Sequence, residues 1–228
     1  MKAYALILGG GSGTRMGGEI NKVLMPIRGI PAIVRATVPF TGLCAGAVLV
    51  ARPDEVEIMR EIVSQFGLSR FVTAVTAGGD TRQASVANGL KALPEDAGVV
   101  MIHDGARAFV TVEIIKLALQ SAMEKGSGVA SVPVTDTIKR IDADNKVLET
   151  ADRSVLRAMQ TPQAFRVREL LQAHAIAERD GFTGTDDAAV FEHAGMPVFV
   201  TEGSRKNIKL TTAFDMLLAR AILEDAES

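Results

Sequence analysis

The sequence predicts an α/β fold in which a mostly parallel sheet is covered by helices on both faces. Short runs of mainly apolar residues recur along the chain, and such runs are typical of strands that are buried on both faces. Stretches with apolar residues at helical spacing separate these runs. Because strands that alternate with helices favour parallel pairing, the two observations together predict this fold class.

Five apolar runs are the predicted strands. The first, AYALIL at 3–8, ends where a series of glycines begins. Four further runs have the same character and are bounded by polar residues or glycine. They are GAVLVA at 46–51, FVTAVTA at 71–77, GVVMIHD at 98–104 and GVASVPV at 128–134.

Helices are predicted between the strands from apolar periodicity and from capping residues. Two stretches place apolar residues on one helix face: Met59, Ile62, Val63 and Phe66, and near the end Phe214, Leu217, Leu218, Ala221 and Ile222. Three N-terminal caps are predicted: Asp54 with Glu57 as a capping box, Asp80 for a helix over 81–93, and Thr111 for a helix over 112–125.

The segment 136–160 interrupts the alternation of strands and helices. It has two short alternating runs around the turn-forming DADN, which predicts a hairpin arm at about 136–159. The pattern alone leaves open whether this hairpin has a function. Since the chain contains no repeat, low-complexity tract or linker, we expect residues 1–228 to form a single domain with this arm.

Composition narrows the class of protein. The chain has 228 residues, 47% of them hydrophobic and 23% charged, as in ordinary soluble globular proteins. A net charge of −2 gives no electrostatic footprint for nucleic acid. The single cysteine, Cys44, cannot form an internal disulfide, and the apolar opening is too short for a signal peptide or a membrane span. We therefore expect a cytoplasmic protein of the size of an enzyme, without nucleic-acid or membrane partners.

The segment LGGGSGTRMGGEINK, at 8–22, is the first candidate for function. The loop after the first strand of a parallel sheet is the usual phosphate site, and glycines there let backbone N–H groups approach an anion. The segment fits neither G-x-G-x-x-G nor the Walker A pattern. Arg15 and Lys22 lie seven positions apart, so both can reach one triphosphate. A strand-to-helix turn with two solvated cations stays open as the alternative.

A series of further motifs makes this interpretation specific. They are GGGSGTRM at 9–16, NKVL at 21–24, GGDTRQASVANGL at 78–90, HDGAR at 103–107, DTIK at 136–139, ADRSVL at 151–156, QTPQAF at 160–165, GTDDAA at 184–189 and NIKLTT at 207–212. In this order, from residue 3 to about 223, they resemble the 2-C-methyl-D-erythritol 4-phosphate cytidylyltransferases of the non-mevalonate isoprenoid pathway. The resemblance implies a Rossmann-like fold and cytidylyl transfer from CTP to methylerythritol phosphate, with release of pyrophosphate.

The resemblance also implies roles for individual residues. The implied catalytic residues are Arg15, Lys22 and Lys209, and Lys22 is expected to hold the pentavalent transition state. The implied CTP-binding residues are Gly9, Gly10, Gly11, Gly13, Thr14, Gly79, Asp80, Ser85, Asp104 and Gly105. The implied acceptor-phosphate-binding residues are Arg107, Thr137, Arg153 and Thr185.

The cofactor and partners follow from the same resemblance. Mg²⁺ is expected on the CTP triphosphate, and the substrates are CTP and a small polyol phosphate. The hairpin arms are expected to exchange across a two-fold axis in a homodimer, so that each arm completes its neighbour's site. No metal site within the protein is predicted, because His103, His174 and His193 have no partner at metal-ligand spacing and are interpreted as structural.

Two alternatives stay open. Ribitol 5-phosphate cytidylyltransferases share the glycine loop, Lys22 and QTPQ, although DTIK and GTDDAA resemble the methylerythritol enzymes more closely. A non-catalytic nucleotide-binding or regulatory module fits less well, because a binder has no need of residues that stabilise a transition state. Three positions depart from the commonest family pattern and bear on loop rigidity: Asn21 for proline, Gly105 for alanine and Ala108 for proline.

Overall fold

The computed structural model describes residues 1–10 and 21–227, and its main element is a seven-stranded sheet. The strands of this sheet are β1 (Lys2–Leu8), β4 (Gly46–Ala51), β5 (Val72–Ala77), β6 (Ala97–Asp104), β7 (Ser127–Pro133), β10 (Arg157–Arg166) and β11 (Val200–Glu202). Two short ribbons pair β2 (Pro26–Ile27) with β3 (Ile30–Pro31) and β8 (Lys139–Ile141) with β9 (Val147–Thr150). The order across the main sheet is β11-β7-β10-β6-β1-β4-β5.

Most neighbouring strands of the main sheet run parallel. Strand β1 pairs in parallel with β4 and β6, β4 with β5, and β7 with β11. The exception is β10, which lies antiparallel between β6 and β7. The five predicted strands and the mostly parallel sheet are therefore confirmed. Strands β10 and β11 are not predicted from the sequence, and the run RAMQTPQAFR of β10 contains buried polar residues that form side-chain hydrogen bonds.

Helices cover both faces of the sheet, as predicted. They are α1 (Ala32–Thr37), α2 (Val56–Gln65), α3 (Arg82–Lys91), α4 (Val112–Lys125), α5 (Val167–Arg179), α6 (Asp187–His193) and α7 (Ala213–Glu227). Side chains of β1 alternate between two apolar clusters: Ile7 packs in the cluster that α2 and α4 share, and Leu6 in the cluster of α3, α5 and α6. Successive residues of a strand point to opposite faces, so β1 connects both halves of the core.

Of the three predicted helix caps, one is confirmed and two are wrong. Thr111 caps α4 by accepting from the backbone N–H of Ile114. The Asp54 capping box does not form, because residues 53–55 make a 3₁₀ turn and α2 begins only at Val56. Asp80 does not cap α3 either, since the Thr81 hydroxyl accepts from Ala84 N at 3.0 Å and fills that position.

The predicted hairpin arm is present. Strands β8 and β9 pair in antiparallel fashion, and all seven of their residues are exposed. The predicted end at residue 159 is too late, because Arg157 already pairs with Pro133 as the start of β10. No helix within the described parts of the chain is both long enough and apolar enough to cross a membrane.

The last helix, α7, presents its predicted apolar stripe to the outside. Phe214 and Leu217 are 64% and 60% exposed. The side that faces the body carries Met216, Ala219 and Leu223, which pack in a small third cluster with β2 and α1. The periodicity therefore predicts the helix correctly, while a different apolar face of the helix packs against the body.

The contact between α4 and β7 gives a test of core packing. A Cβ on Gly128 would lie 2.2 Å from the Ala118 carbonyl oxygen. We expect Gly128→Ala to force α4 away from the sheet and to lower the free energy of unfolding by about 1–3 kcal/mol. Gly42→Ala is the matched control, because a Cβ there meets no atom within 4 Å. Equal urea midpoints for the two variants would contradict this packing.

Candidate active site

The candidate site lies at the carboxyl ends of β1, β4, β5 and β6, where three loops leave the sheet through glycines. The backbone N–H of Gly9 donates to Val50 O at 2.7 Å, and that of Gly105 donates to Leu8 O at 2.9 Å. The backbone N–H of Gly78 donates to the carbonyl oxygen of Ala51, the last residue of β4, at 2.8 Å. In open parallel sheets this edge is where ligands bind.

Two of the predicted CTP-binding glycines are needed for this close approach. A Cβ on Gly105 would lie 2.5 Å from Ile33 Cδ1 and 2.9 Å from the backbone oxygen of Leu8. A Cβ on Gly9 would lie 2.9 Å from Met59 Cε. Gly105 therefore lies directly against the end of β1 and Ile33 of α1, and Gly10 is exposed after Gly9.

Asp104, the last residue of β6, is the anion around which the charged side chains gather. Its carboxylate lies 2.8 Å from Lys209 Nζ and 3.8 Å from both Arg82 Nε and Arg107 Nε. Burial raises the pKa of Asp104, but the charges of Lys209, Arg82 and Arg107 outweigh it and hold the pKa below its usual value. The structure thus brings together three residues that the sequence predicted: Asp104, Arg107 and Lys209.

Arg82 joins Asp104 to a second buried carboxylate. Its Nη2 donates to Asp187 Oδ2 at 2.7 Å, and Asp187 is 1% exposed at the start of α6. Gln163 of β10 accepts from the backbone N–H groups of Asp187 and Ala188 at 3.1 and 3.0 Å, which fixes that end of α6. Burial lowers the pKa of Arg82, but the two carboxylates outweigh it, so the guanidinium stays charged.

The segment 207–210 carries Lys209 alongside the HDGAR loop. Leu210 N donates to Ala106 O at 2.9 Å. The fully buried amide of Asn207 donates to Thr161 O at 2.9 Å, which ties the segment to β10. Because both ends of this four-residue stretch are anchored, Lys209 is directed towards the end of β6.

Arg107 is held at the same place. Its Nη1 donates to Asn207 O at 2.7 Å. Its Nε is buried and, among the described residues, has no hydrogen-bond partner. The Asp104 carboxylate, 3.8 Å from this Nε, supplies the compensating negative charge.

His103 orders the loop beneath Asp104. Asp104 N donates to Thr161 Oγ1 at 3.0 Å, the Thr161 hydroxyl lies 2.9 Å from His103 Nδ1, and His103 Nε2 lies 3.1 Å from Arg107 O. Since a carbonyl only accepts, Nε2 carries the proton and Nδ1 accepts from the hydroxyl. Burial lowers the pKa of His103 to about 4, so the ring is neutral at pH 7 and has a structural role, as predicted.

Lys22 reaches the same segment from the other end of the chain. Its Nζ donates to Thr211 O, two residues beyond Lys209. Asp215 of α7 fixes this backbone by accepting from the N–H groups of Thr211 and Thr212 at 2.7 Å each. The predicted catalytic residues Lys22 and Lys209 are therefore attached to one short stretch, residues 207–212.

The predicted cytosine-binding residues lie in the turn between β5 and α3. Ser85 is buried, and its Oγ accepts from Gly79 N at 3.1 Å and donates to Thr81 O at 2.9 Å. The Ser85 hydroxyl therefore shapes the turn. Asp80 is exposed at the tip of this turn.

Three predicted acceptor-binding residues lie apart from the charged cluster. Thr137, Arg153 and Thr185 are exposed, and within the described ranges none of them forms a hydrogen bond or ion pair with Asp104 or its cations. Arg153 Nη1 donates to Thr135 O at 2.6 Å, next to the arm. Their roles stay predictions.

Four residues of the predicted glycine loop, Gly11, Gly13, Thr14 and Arg15, lie outside the described residues. In the rest of the chain, no group of three or more His, Cys, Asp or Glu side chains could hold a metal ion. Asp104 is the carboxylate that faces the glycine-lined edge, and one carboxylate together with substrate phosphates is a common Mg²⁺ donor set.

Sequence reasoning assigns no role to Arg82, Asp187 or Glu55. Arg82 and Asp187 stand inside the motifs GGDTRQASVANGL and GTDDAA, which is the signal that could have found them. They are 105 positions apart, and a single sequence contains no trace of such a pairing. Asn21 is noted from the sequence only as a departure from proline, yet it is a buried hydrogen-bonding residue next to Lys22.

Comparison with known proteins shows a match over the whole chain. The 2-C-methyl-D-erythritol 4-phosphate cytidylyltransferase family matches residues 3–225. The enzyme of that name from Geobacillus thermodenitrificans is 43% identical over 225 residues, which cover 98% of this chain and 97% of that protein. The one from Bacillus velezensis is 43% identical over 231 residues, with 100% and 98% coverage.

Solved structures show the same fold. The 4-diphosphocytidyl-2C-methyl-D-erythritol synthase of Anaerococcus prevotii has a TM-score of 0.85 at 28% identity and covers 98% of each chain. The 2-C-methyl-D-erythritol 4-phosphate cytidylyltransferase of Thermus thermophilus has a TM-score of 0.79 at 29% identity, with 98% and 100% coverage.

A glycine-lined sheet edge with lysine and arginine side chains gathered beside it defines a nucleotide-binding transferase of the α/β class. The match over the full length of the chain identifies the family within this class. The chain belongs to the 2-C-methyl-D-erythritol 4-phosphate cytidylyltransferase family and is a CTP-dependent nucleotidyltransferase. The predicted family is confirmed, and it is favoured over the ribitol phosphate and non-catalytic alternatives.

The buried His103 predicts a specific pH dependence of stability. Its folded pKa of about 4 lies below the ordinary histidine pKa of 6.5, so its contribution to stability is complete above pH 6.5 and is lost as the pH falls towards 4. We expect His103→Gln to reduce the loss of unfolding free energy between pH 7 and pH 4 by about 3 kcal/mol. Urea denaturation of the wild type and of His103→Gln across this pH range, without added metal, measures how the free energy of unfolding changes with pH. The same change in both proteins would contradict a buried, neutral His103.

Proposed function

We propose that this chain transfers the cytidylyl group of CTP to 2-C-methyl-D-erythritol 4-phosphate, giving 4-diphosphocytidyl-2-C-methyl-D-erythritol and pyrophosphate for isoprenoid precursor synthesis. The observation that carries the proposal is the cluster of Lys209, Arg82 and Arg107 around Asp104, at a glycine-lined edge, in a chain of this family. Both substrates are polyanions. The protein's task is therefore to position them and to stabilise negative charge.

The reaction is a single displacement at phosphorus. An oxygen of the acceptor phosphate forms a bond to the α-phosphorus of CTP, and the bond from that phosphorus to pyrophosphate breaks. The acceptor phosphate is largely a dianion at pH 7, so no side chain has to remove a proton. Cations that act where charge develops are sufficient, and the site supplies them.

We assign these cations by position. Lys22 is proposed to act at the α-phosphate and Arg15 on the triphosphate. Lys209 is proposed to contact both substrates, because it lies beside Asp104 on the segment that Lys22 also contacts. Arg107 is proposed to bind the acceptor phosphate, because its guanidinium lies in the same cluster as Asp104 and Lys209.

Mg²⁺ is proposed as the cofactor, bound mainly to the triphosphate and supported by Asp104. When bound, it supplies further positive charge at the phosphates. A carboxylate with a lowered pKa is ready to serve as an oxygen ligand at neutral pH. The same carboxylate keeps Lys209 in place until substrate phosphate competes for that lysine.

Two wider properties are part of the proposal. We propose that residues 1–228 form one nucleotidyltransferase domain with the hairpin as its arm. We also propose a cytoplasmic location, supported by the single cysteine, Cys44, which is buried and unpaired as expected in a reducing compartment.

Pyrophosphate release from CTP tests the function directly. We expect turnover with 2-C-methyl-D-erythritol 4-phosphate and little or none with ribitol 5-phosphate. UTP should be poorer than CTP by about 10²-fold or more in kcat/KM, because the turn at Gly79, Asp80 and Ser85 is expected to accept a hydrogen bond from the cytosine amine that uracil lacks. Preference for ribitol 5-phosphate, or equal use of UTP, would contradict the proposal.

A pair of lysines provides the matched control for that assay. Lys209→Ala removes the closest cation of Asp104, and Lys206→Ala removes a lysine that pairs with Asp225 on the surface. Only the first should lower kcat/KM, by about 10²-fold.

The arm leads to a proposal about assembly. We propose a homodimer in which Arg153 of each arm completes the partner's site and grips the acceptor phosphate through two parallel hydrogen bonds. Two observations support it: the arm protrudes with every residue of β8 and β9 exposed, and Arg153 makes no ion pair within the described chain. Apolar side chains on the arm, among them Ile141 and Val147, are 50% and 53% exposed.

Mixed dimers test this arrangement. A Lys22→Ala chain and an Arg153→Ala chain, each nearly inactive alone, should recover roughly a quarter of wild-type activity when co-expressed, because half the dimers are mixed and each has one intact site. Arg140→Ala is the control, since Arg140 lies on the arm and pairs with Glu149 within it. No recovery, or a monomer in sedimentation, would refute arm exchange.

A further inference from the structure

Asn21 is a buried polar residue with an unusually complete set of partners. It is 2% exposed. Its Nδ2 donates to Gly9 O at 2.6 Å and to Glu55 Oε2 at 2.6 Å, and its Oδ1 accepts from Val23 N at 3.3 Å. Since both partners of the nitrogen are acceptors only, the orientation of the amide is unambiguous. The side chain connects the backbone of Gly9, the carboxylate of Glu55 and the backbone of Val23.

One of these connections joins Asn21 to the end of the first strand. Gly9 follows β1, and Asn21 lies 12 positions later in the chain. The backbone at Gly9 is itself fixed, because its N–H donates to Val50 O at 2.7 Å. The bond from Asn21 to Gly9 therefore fixes Asn21 relative to the end of β1.

Glu55 is the second anchor of Asn21. It is 7% exposed, and its other oxygen lies 3.6 Å from Arg52 Nη1. A buried carboxylate is stable only when it is hydrogen-bonded or paired, and the Asn21 amide supplies its shortest contact. Asn21 therefore donates the hydrogen bond that the buried Glu55 carboxylate needs, and Glu55 in turn holds the Asn21 amide in place.

The position of Lys22 follows from these contacts. Asn21 caps a 3₁₀ turn over Lys22–Leu24, accepting from Val23 N through its side chain and from Leu24 N through its carbonyl. Val23 is also buried, at 4% exposure. Lys22 therefore stands between two immobilised neighbours, and its backbone has a fixed distance from the end of β1.

We propose that Asn21 and Glu55 are positioning residues that hold Lys22 where charge develops at the α-phosphate. The inference rests on the role proposed above for Lys22. Neither residue needs to touch substrate, since the effect passes through the backbone of the 3₁₀ turn. A displacement of about 1 Å in a catalytic group can cost about 10²-fold in rate, so a hydrogen-bonded anchor at this point has a direct kinetic consequence.

A double-mutant cycle with Lys22 tests the proposal. Lys22→Ala alone should lower kcat by about 10²–10³-fold. Asn21→Ala should lower kcat by about 10–100-fold in the wild-type background, and by less than about 3-fold in the Lys22→Ala background, because there is then no lysine to position. Equal effects in both backgrounds would overturn the proposal. An unchanged kcat for Lys22→Ala would instead refute the role of Lys22, so the two failures are distinguishable.

Variants of Glu55 keep the test decisive if Asn21→Ala folds poorly. Glu55→Gln retains an oxygen that accepts from Asn21 and should keep kcat within about 3-fold of wild type, whereas Glu55→Ala should fall as far as Asn21→Ala. Ser121→Ala is the matched control: it removes a buried bond to Ser127 O, on the helix α4, and should lower stability without changing kcat. The anchor has no positioning role if Glu55→Ala has the same kcat as Ser121→Ala. It also has none if Glu55→Gln lowers kcat as much as Glu55→Ala does.

Discussion

Arg82, Arg107 and Lys209 come from three distant parts of the chain and would repel one another at the edge of the sheet if Asp104 were absent. The carboxylate lies within 3.8 Å of a charged nitrogen on each of them. Two unit charges 4 Å apart interact by about 4 kcal/mol at an effective dielectric constant of 20, so Asp104, together with Asp187 beside Arg82, offsets the repulsion among these cations. The fold supplies Asp104 at the end of β6, a strand whose last six residues are buried.

The layer below Asp104 explains why β10 is both buried and polar. Thr161 links His103 to the backbone of Asp104, Gln163 fixes the start of α6, and Asn207 joins the strand to the segment of Lys209. Buried polar groups are tolerated only when their hydrogen bonds are made, and here each bond orients an element that carries a charged residue. The antiparallel strand β10 thus fixes the positions of side chains that come from other parts of the chain.

Sequence patterns predict five strands of the main sheet because each is a compact apolar run, and they predict the arm because its polarity differs from the body. They fail for β10, whose polar residues are satisfied by partners far away in sequence, and for the short strand β11 at the edge of the sheet. For the site, motifs predict Asp104, Arg107, Lys22 and Lys209. The Arg82–Asp187 pair and the contacts of Asn21 depend on tertiary proximity, which a single sequence does not contain.

The contact between Lys22 and Thr211 spans 189 positions of the chain, nearly its full length. A ribosome adds about 5–20 residues per second, so a growing chain displays its glycine-lined edge well before the segment 207–212 exists. During that interval the edge lacks both Lys209 and the carbonyl that receives Lys22. On the roles proposed for Lys22 and Lys209, a chain that ends before this segment does not consume CTP.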